Sequence, residues 1–360
     1  MFSKVLRDMV ATRNIPVFEN TVWIPKTTLS KYQPENVKKS KYNTFSGFAL
    51  EADIPTTVNF LETEVFELIQ RLVDFDDECL EFLLNWISLR VQKPFFKAPL
   101  ILAWVQSRKG CGKGTFKLFL QKLFSCNSQV LVSMNRISQF VSNFNAELET
   151  CLFLVLEEVT ANKKNSLKEF DGLLKDVASM TEFLQEKKGI DRKVCPFYGN
   201  VLIFSNELFC VRVTSDNRRV VCFQASKKCN DLDFFKKVYK ELDSIQVMKS
   251  AWNFFLNRDV SNWDFTDIPQ TDLLRRLQRC SENATVKFAR WFFKIRGAQD
   301  IEITETELYC YWTDFCVETG VPNKRDCMFL ASSLESVLPC TRNHDRYSFK
   351  GPDIQKFIIS

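Results

Sequence analysis

The chain has 360 residues, of which 45% are hydrophobic and 26% are charged. This balance is typical of a globular protein with one large domain and one or two small ones, and no apolar run reaches the roughly 20 residues that a membrane helix needs. The formal net charge of +5 permits binding to nucleic acid without requiring it. We also predict no signal peptide, because the first residues contain an early acid and no cleavage-like site.

The chain has thirteen cysteines and one histidine, and these numbers limit the kinds of disulfide and metal site that it could form. The cysteines form no Cys-x-x-Cys pair, so we expect reduced thiols and an intracellular protein. The single histidine, His344, excludes zinc sites built on histidine pairs within the chain, and it excludes nucleases that bind a metal through two histidines. The expected position of His344 is the surface.

The first predicted elements precede the main domain. Residues 1–57 contain four prolines and a basic run, which predict an irregular N-terminal region. Residues 58–98 follow as a collar-like helical region, in which apolar residues at helical spacing predict two helices.

Residues 99–257 alternate between strand-like and helix-like patterns. This alternation predicts an α/β core with a mostly parallel sheet. We expect strands at 100–105, 151–156, 200–204 and 219–223, helices at 116–124, 135–144, 167–177 and 231–257, and a hairpin at 183–195.

A connector over residues 258–282 is predicted to lead to a small C-terminal unit, 283–360. Two helices followed by a hairpin favour a winged-helix-like domain there. In this unit we expect a helix at 283–294, a strand at 301–303, helices at 305–319 and 325–337, and a basic hairpin at 339–350.

A glycine-rich segment, Ser-Arg-Lys-Gly-Cys-Gly-Lys-Gly-Thr-Phe, covers residues 107–116 between a predicted strand and a predicted helix. This context is that of a P-loop, in which backbone N–H groups and the helix N-terminus bind phosphates. Lys113 would reach the β- and γ-phosphates of a nucleotide. The candidate phosphate-binding residues are Gly110, Cys111, Gly112, Lys113, Gly114 and Thr115.

The segment departs from the usual P-loop pattern at two positions. Ser107 stands where the pattern begins with glycine, and Gly114 stands where it has serine or threonine. We therefore assign the metal-binding hydroxyl to Thr115. A glycine-rich turn that binds nothing is the alternative.

An acidic pair, Glu157-Glu158, follows the apolar strand predicted at 151–156. In P-loop ATPases an acidic pair at this position holds Mg²⁺ and polarises the attacking water. We assign Mg²⁺ to Glu157, which stands where aspartate is usual, and the general-base role to Glu158. The alternative is two solvated glutamates at a strand end.

Five further polar residues, one asparagine and two basic pairs, follow the acidic pair. Asn206 ends the next long strand and could orient the attacking water, unless it is an ordinary turn residue. Arg218 and Arg219 could reach the γ-phosphate of a neighbouring subunit, although adjacent arginines are often a solvated pair; because side chains alternate along a strand, we expect only one of them to act. Lys187 and Lys188 lie on the predicted hairpin, where they could contact nucleic-acid phosphates or form a solvated cluster.

These features, in this order, resemble superfamily 3 helicases of viruses and mobile elements. The likeness is strongest for the helicase module found beside primase-polymerase domains in phages and large DNA viruses, and it covers about residues 42–350. The segments that carry it are YNTFSGF at 42–48, VQKP at 91–94, GCGKGTF at 110–116, FNAELE at 144–149, EKKG at 186–189, SN at 205–206, DNRR at 216–219 and IPQT at 268–271.

The resemblance implies an AAA+-like ATPase core that hydrolyses ATP with Mg²⁺. It implies a ring, expected to be a hexamer, that translocates on single-stranded or forked DNA, with the site residues in the roles given above. A primase half is not expected in a chain of this length, so a primase-polymerase would act as a separate partner. In the winged-helix-like unit, Arg342 and Arg346 are expected to touch DNA phosphates.

Two other functions remain open. A degenerate ATP-binding ring without unwinding activity would keep the same fold. A nucleotide kinase is suggested by Gly-Lys-Gly-Thr at 112–115, which adenylate kinases share, but the acidic strand end and the winged-helix-like tail argue against it.

Overall fold

The structure is a computed structural model that describes residues 20–27, 41–105, 108–135, 145–157, 164–187, 190–207, 211–214, 216–228, 230–282, 284–323, 330, 334–335 and 337–359. The chain divides into two compact units, Met1–Leu277 and Gln278–Ser360. Among the described helices, none combines the length and the apolar character that a bilayer crossing requires.

The first unit is built around a parallel sheet. Its described strands are β1 (Asn20–Val22), β2 (Lys41–Asn43), β3 (Ile101–Trp104), β4 (Leu131–Met134), β5 (Phe153–Glu157), β6 (Glu182–Lys187), β7 (Ile190–Pro196), β8 (Asn200–Phe204) and β9 (Val220–Phe223). Five of them form the sheet, in the order β4-β5-β8-β3-β9. The predicted α/β class with a parallel sheet is thereby confirmed.

Three strands of this sheet, the central β8 and β3 and the edge strand β9, are buried along their whole length. Strands of this kind need cover on both faces, so their sequences are continuously apolar rather than alternating. Two hydrophobic clusters supply the cover, one including Trp104 and Phe116 and the other including Ile203 and Leu174.

Several helices of the first unit begin at polar caps. The helices of this unit are α1 (Glu64–Leu72), α2 (Asp77–Gln92), α3 (Lys113–Leu123), α4 (Lys164–Ser179), α5 (Leu232–Leu242), α6 (Ile245–Asn257) and α7 (Asp272–Ser281), the last of which continues into the second unit. The side chain of Thr63 accepts the N–H of Phe66, and that of Asp76 accepts the N–H of Cys79. Such caps satisfy N–H groups that the first turn leaves unpaired, and α1 and α2 are the two helices predicted for the collar-like region.

Some elements of the first unit differ from the sequence prediction. The N-terminal region, predicted to be irregular, contains β1 and β2, which form a short parallel pair. The helical stretch predicted at 231–257 is divided into α5 and α6, because the side chain of Ser244 caps α6 through the N–H of Val247. The helix predicted at 135–144 lies almost entirely outside the described residues.

Helix α7 lies in the predicted connector, where no helix was expected. Its apolar residues, Leu273, Leu274 and Leu277, are buried, and its arginines are exposed. The helix therefore covers part of the second cluster and is more than a linker.

The predicted hairpin is present as the antiparallel pair β6–β7. Two residues of the FNAELE segment hold it. Nδ2 of Asn145 donates to the carbonyl of Leu184 at 3.1 Å, and its Oδ1 accepts the N–H of Glu186 at 3.1 Å. Glu149 forms an ion pair of 2.7 Å with Lys193 of β7. These bonds fasten the hairpin to the segment that leads into β5.

The second unit combines helices with a small antiparallel sheet. Its described elements are α8 (Ala284–Arg296), β10 (Ile301–Thr304), α9 (Glu305–Thr319), β11 (Cys340–Asn343), β12 (Arg346–Phe349) and α10 (Gly351–Ile359). The sheet order is β10-β12-β11, and an aromatic core that includes Phe288, Trp312 and Tyr347 supports it.

The order of helices, strand and hairpin in the second unit follows the winged-helix-like prediction. The helix predicted at 325–337 lies mostly outside the described residues, and α10 was not predicted. His344 is exposed at the turn between β11 and β12, as expected.

Candidate nucleotide-binding site

The glycine-rich loop joins β3 to α3, which begins at Lys113. Two of its glycines adopt left-handed backbone angles, with φ +77° at Gly110 and φ +100° at Gly112. A Cβ at Gly110 would lie 1.9 Å from Oδ1 of Asn230, and a Cβ at Gly112 would lie 2.6 Å from Cδ1 of Leu68. The loop therefore requires glycine at both positions, for conformation and for space.

Gly114 is in a different situation. It lies in the first turn of α3, and a Cβ there would meet nothing within 4 Å. The serine or threonine that P-loops usually have at this position would thus fit. The other departure from the pattern, Ser107, lies outside the described residues.

An open cavity of about 540 Å³ lies over the loop and the N-terminus of α3. Ligand sites in proteins commonly have volumes of roughly 300–1,000 Å³. The cavity is lined by loop residues 109–115, by Asn206 and Asn230, and by Leu232, Phe235 and Tyr239 of α5.

Lys113 and Asn206 meet at this cavity. Nζ of Lys113 donates to Oδ1 of Asn206 at 3.1 Å, although 93 positions separate the two residues. The reason is topological: β3 and β8 are paired parallel neighbours, so the loop after one and the asparagine after the other lie at the same edge of the sheet. Ligands of open α/β sheets bind at this carboxyl edge.

Thr115 is buried, and its hydroxyl lies 3.2 Å from the hydroxyl of Tyr239. Residues two positions apart on a helix point in different directions, so Thr115 and Lys113 do not share a face of α3. To ligate a metal, the hydroxyl of Thr115 would have to exchange its present partner.

Glu157 ends β5 and forms an ion pair with Lys117 of α3. Nζ of Lys117 also lies 3.4 Å from Oγ of Ser133. The sequence analysis did not identify Lys117 as a site residue. Its spacing of four residues from Lys113 could have indicated it, because this spacing places both lysines on one face of the helix. Glu158 lies outside the described residues.

These residues fit a nucleoside triphosphate. The glycines let phosphates approach the backbone, and the N-terminus of α3 and Lys113 provide positive charge. For Mg²⁺, Glu157 and Thr115 offer oxygen donors, and Mg²⁺ at nucleotide sites takes its remaining ligands from phosphates and water. Within the described part of the chain, no three His, Cys, Asp or Glu side chains form a metal site by themselves.

Arg218 and Arg219 lie at the opposite edge of the sheet. They precede Val220, which pairs with Ile101 at the start of β3. Nδ2 of Asn217 donates to the carbonyl of Val220 at 2.8 Å and shapes the turn, in which Arg218 is exposed and Arg219 is half-buried. The four residues of β3 span about 13 Å, so neither arginine adjoins the glycine-rich loop of its own chain.

The predicted DNA contacts are described only in part. Lys188 lies outside the described residues, and only the backbone of Lys187, at the end of β6, lies within them. In the second unit, Arg342 forms an ion pair of 2.7 Å with Glu305, which offsets its charge. Arg346 is exposed on β12.

Of the comparisons with known proteins, the one with solved structures agrees with this architecture. A family of unknown function, DUF5906, matches residues 105–219. The search of curated proteins finds no match. An apo structure of the NrS-1 C-terminal region covers 88% of this chain and 71% of that chain, with a TM-score of 0.61 and 16% identity. An A-form apo structure of the same region covers 93% and 76%, with a TM-score of 0.61 and 16% identity.

A structure of JCV helicase bound to a small acetamide compound gives a TM-score of 0.36 at 11% identity over 64% of each chain. That score is too low to bear on the fold. The chain is thus an α/β protein that shares the fold of the NrS-1 C-terminal region and carries a glycine-rich loop at the carboxyl edge of its sheet.

Proposed function

We propose that this chain is an ATP-dependent DNA helicase of the superfamily 3 type, acting in the replication of a virus or mobile element. The observation that carries the proposal is the 3.1 Å contact between Nζ of Lys113 and Oδ1 of Asn206 beside the glycine cradle. A helix N-terminus, a lysine and an amide side chain meet there. Together these groups could bind a triphosphate and position a water molecule against its terminal phosphate.

In the proposed reaction, the loop N–H groups and Lys113 hold the triphosphate while Asn206 orients the attacking water. Glu158 takes the proton from that water as general base, a role that contributes roughly 10²–10⁴-fold. Mg²⁺, held through Glu157 and Thr115, would neutralise charge that develops on the phosphates.

The position of the arginine pair supports a site shared between subunits. The arginines lie at the amino edge of the sheet and the glycine-rich loop at the carboxyl edge, so an arginine would act on the nucleotide of a neighbour. We assign this role to Arg218, because its side chain is exposed whereas that of Arg219 is half-buried. The assembly that follows is a homo-oligomeric ring, expected to be a hexamer.

We propose that Lys187 and Lys188 contact single-stranded DNA. Their hairpin is fastened through Asn145 and Glu149 to the segment that leads into β5. A nucleotide-dependent movement of the acidic strand end would therefore be passed to the hairpin.

The remaining parts take supporting roles in this proposal. Residues 58–98 form the collar, 99–257 the ATPase core, and 283–360 a further DNA-contacting domain. In that domain Arg346 is better placed to contact a DNA phosphate than Arg342, because Arg342 is paired with Glu305. A primase-polymerase would act in trans.

A second candidate, a degenerate ATP-binding ring without unwinding activity, is favoured by two observations. Position 114 is glycine, so it lacks the hydroxyl that P-loops usually have there. Lys117 forms an ion pair with the carboxylate of Glu157 and competes with a metal for it. Both features would weaken metal binding without preventing nucleotide binding.

Unwinding of a forked DNA duplex distinguishes these candidates. The wild-type protein should displace the labelled strand when ATP and Mg²⁺ are present, and Lys113→Ala should not, although its melting temperature stays unchanged. A wild-type ring that binds ATP without hydrolysing it or unwinding would favour the second candidate. Phosphoryl transfer to a nucleoside monophosphate would instead identify a nucleotide kinase.

A further inference from the structure

Helix α5 carries two apolar stripes where a helix on a protein surface usually has one. The first stripe is buried in the main core and consists of Phe234, Val238 and Leu242. The second stripe consists of Leu232, Phe235 and Tyr239, whose spacing of i, i+3 and i+7 places them on one face. Phe235 is also partly packed against the main core, so it is the exposure of Leu232 and Tyr239 beside it that requires a separate explanation.

The second stripe faces the cavity over the glycine-rich loop. Leu232 is 72% exposed and Tyr239 is 46% exposed, while Phe235 is half-buried. Scattered apolar residues on a surface need no explanation, whereas a contiguous group at a cavity indicates a binding surface.

The stripe also follows the course of the loop. A Cβ at Gly112 would lie 3.4 Å from Cε1 of Phe235, and the hydroxyl of Tyr239 lies 3.2 Å from that of Thr115. An occupant of this wall would thus be contiguous with phosphates held by the loop and the first turn of α3.

Contacts within the chain hold this helix in place. Asp231 caps it by accepting the N–H of Phe234, a bond that lowers the pKa of Asp231. Arg71 donates to Asp231 at 3.2 Å, and its guanidinium carbon lies 3.5 Å from the ring centroid of Phe234. The N–H of Asn230 donates to the carbonyl of Gly110 at 3.2 Å. The wall is therefore preformed, which reduces the cost of ordering it on binding.

We propose that Leu232, Phe235 and Tyr239 form the base-binding wall of the nucleotide site, against which the base of a nucleoside triphosphate packs while its phosphates occupy the loop. This proposal rests on the proposed function, because it takes the loop to be a phosphate site. Packing of a base on aromatic side chains contributes about 1–3 kcal/mol, which corresponds to roughly 5- to 150-fold in the dissociation constant.

Calorimetric titration of the full-length protein with AMP-PNP and with tripolyphosphate, both with Mg²⁺, tests the proposal. Tripolyphosphate has the phosphates without the ribose and the base, so the wild type should bind AMP-PNP at least about 5-fold more tightly. The double variant Leu232→Ala/Tyr239→Ala should lose this advantage and still bind tripolyphosphate within about twofold of the wild type. Both side chains are exposed, so we expect the variant to fold.

Two control variants define the cause of the loss. Tyr239→Phe keeps the ring and removes the hydroxyl that contacts Thr115, so it should retain the preference for AMP-PNP. Ile245→Ala removes an apolar side chain that is 53% exposed on α6 and does not line the cavity, so it should leave both affinities unchanged.

The outcomes separate this proposal from the one on which it rests. A wild type that binds tripolyphosphate as tightly as AMP-PNP would overturn the base-binding wall and leave the phosphate loop in place. A double variant that keeps the preference, or that loses both ligands equally, would also overturn the wall. A wild type that binds neither ligand would overturn both proposals.

Discussion

Gly112→Ala, in the loop, and Gly114→Ala, two residues later in the first turn of α3, should have opposite effects on stability. Gly112 has φ +100°, and its Cβ would lie 2.6 Å from Cδ1 of Leu68, a fully buried side chain. The left-handed angle costs a residue with a Cβ about 1–2 kcal/mol, and overpacking against a buried leucine costs about 1–3 kcal/mol. We expect Gly112→Ala to lower the free energy of unfolding by about 2–5 kcal/mol.

Gly114 is the matched control. It is helical, and the added methyl group meets nothing within 4 Å. Because alanine favours a helix over glycine by about 1 kcal/mol, Gly114→Ala should raise the free energy of unfolding by up to about that amount.

Urea denaturation followed by tryptophan fluorescence measures both changes, and titration with AMP-PNP measures the site. Gly112→Ala should unfold at lower urea and lose nucleotide binding, whereas Gly114→Ala should unfold at equal or higher urea and keep it. If Gly112→Ala unfolds at the wild-type midpoint, or if both variants lose stability equally, the account of the glycine cradle is wrong.

Lys117→Met should lower the Mg²⁺ concentration needed for half-maximal ATP hydrolysis, because Glu157 loses a competing cation; a Mg²⁺ titration with an unchanged or higher requirement would contradict this. Arg218→Ala should bind nucleotide but hydrolyse it roughly 10³-fold more slowly. Mixing it with Lys113→Ala should restore some hydrolysis, and no restoration at any ratio, with subunit exchange demonstrated, would exclude a finger that acts in trans. Burial lowers the pKa of Lys97 from its ordinary value of 10.5 to about 7, so between these values the unfolded state binds more protons than the folded state. The free energy of unfolding of the wild type should therefore rise with pH in that window relative to Lys97→Met, and parallel pH curves for the two proteins would refute it.

Much of the sheet could be predicted because its strands are short runs of apolar residues between turn-forming ones. β5 and β8 are buried on both faces, so their sequences carry a strong signal. α7 carries a weak one, because only Leu273, Leu274 and Leu277 are buried among its polar residues. Its position depends on the surface of the folded sheet, which no local pattern encodes.

Part of the candidate site could likewise be predicted from the sequence, and part could not. That Lys113 and Asn206 belong to one site could be predicted, since both follow strands of one parallel sheet. The contacts of Thr115 with Tyr239 and of Glu157 with Lys117 could not be predicted. They depend on side-chain rotamers and on where α5, which contributes the partner of Thr115 from 124 residues away, packs against α3.

ATP hydrolysis by size-fractionated protein, measured with and without single-stranded DNA, tests the central claim most directly. The account predicts hydrolysis in the oligomeric fractions, stimulation by single-stranded DNA, and no hydrolysis by Lys113→Ala in the same fractions. Oligomeric wild-type protein that does not hydrolyse ATP in the presence of DNA, or whose hydrolysis survives in Lys113→Ala, would contradict it.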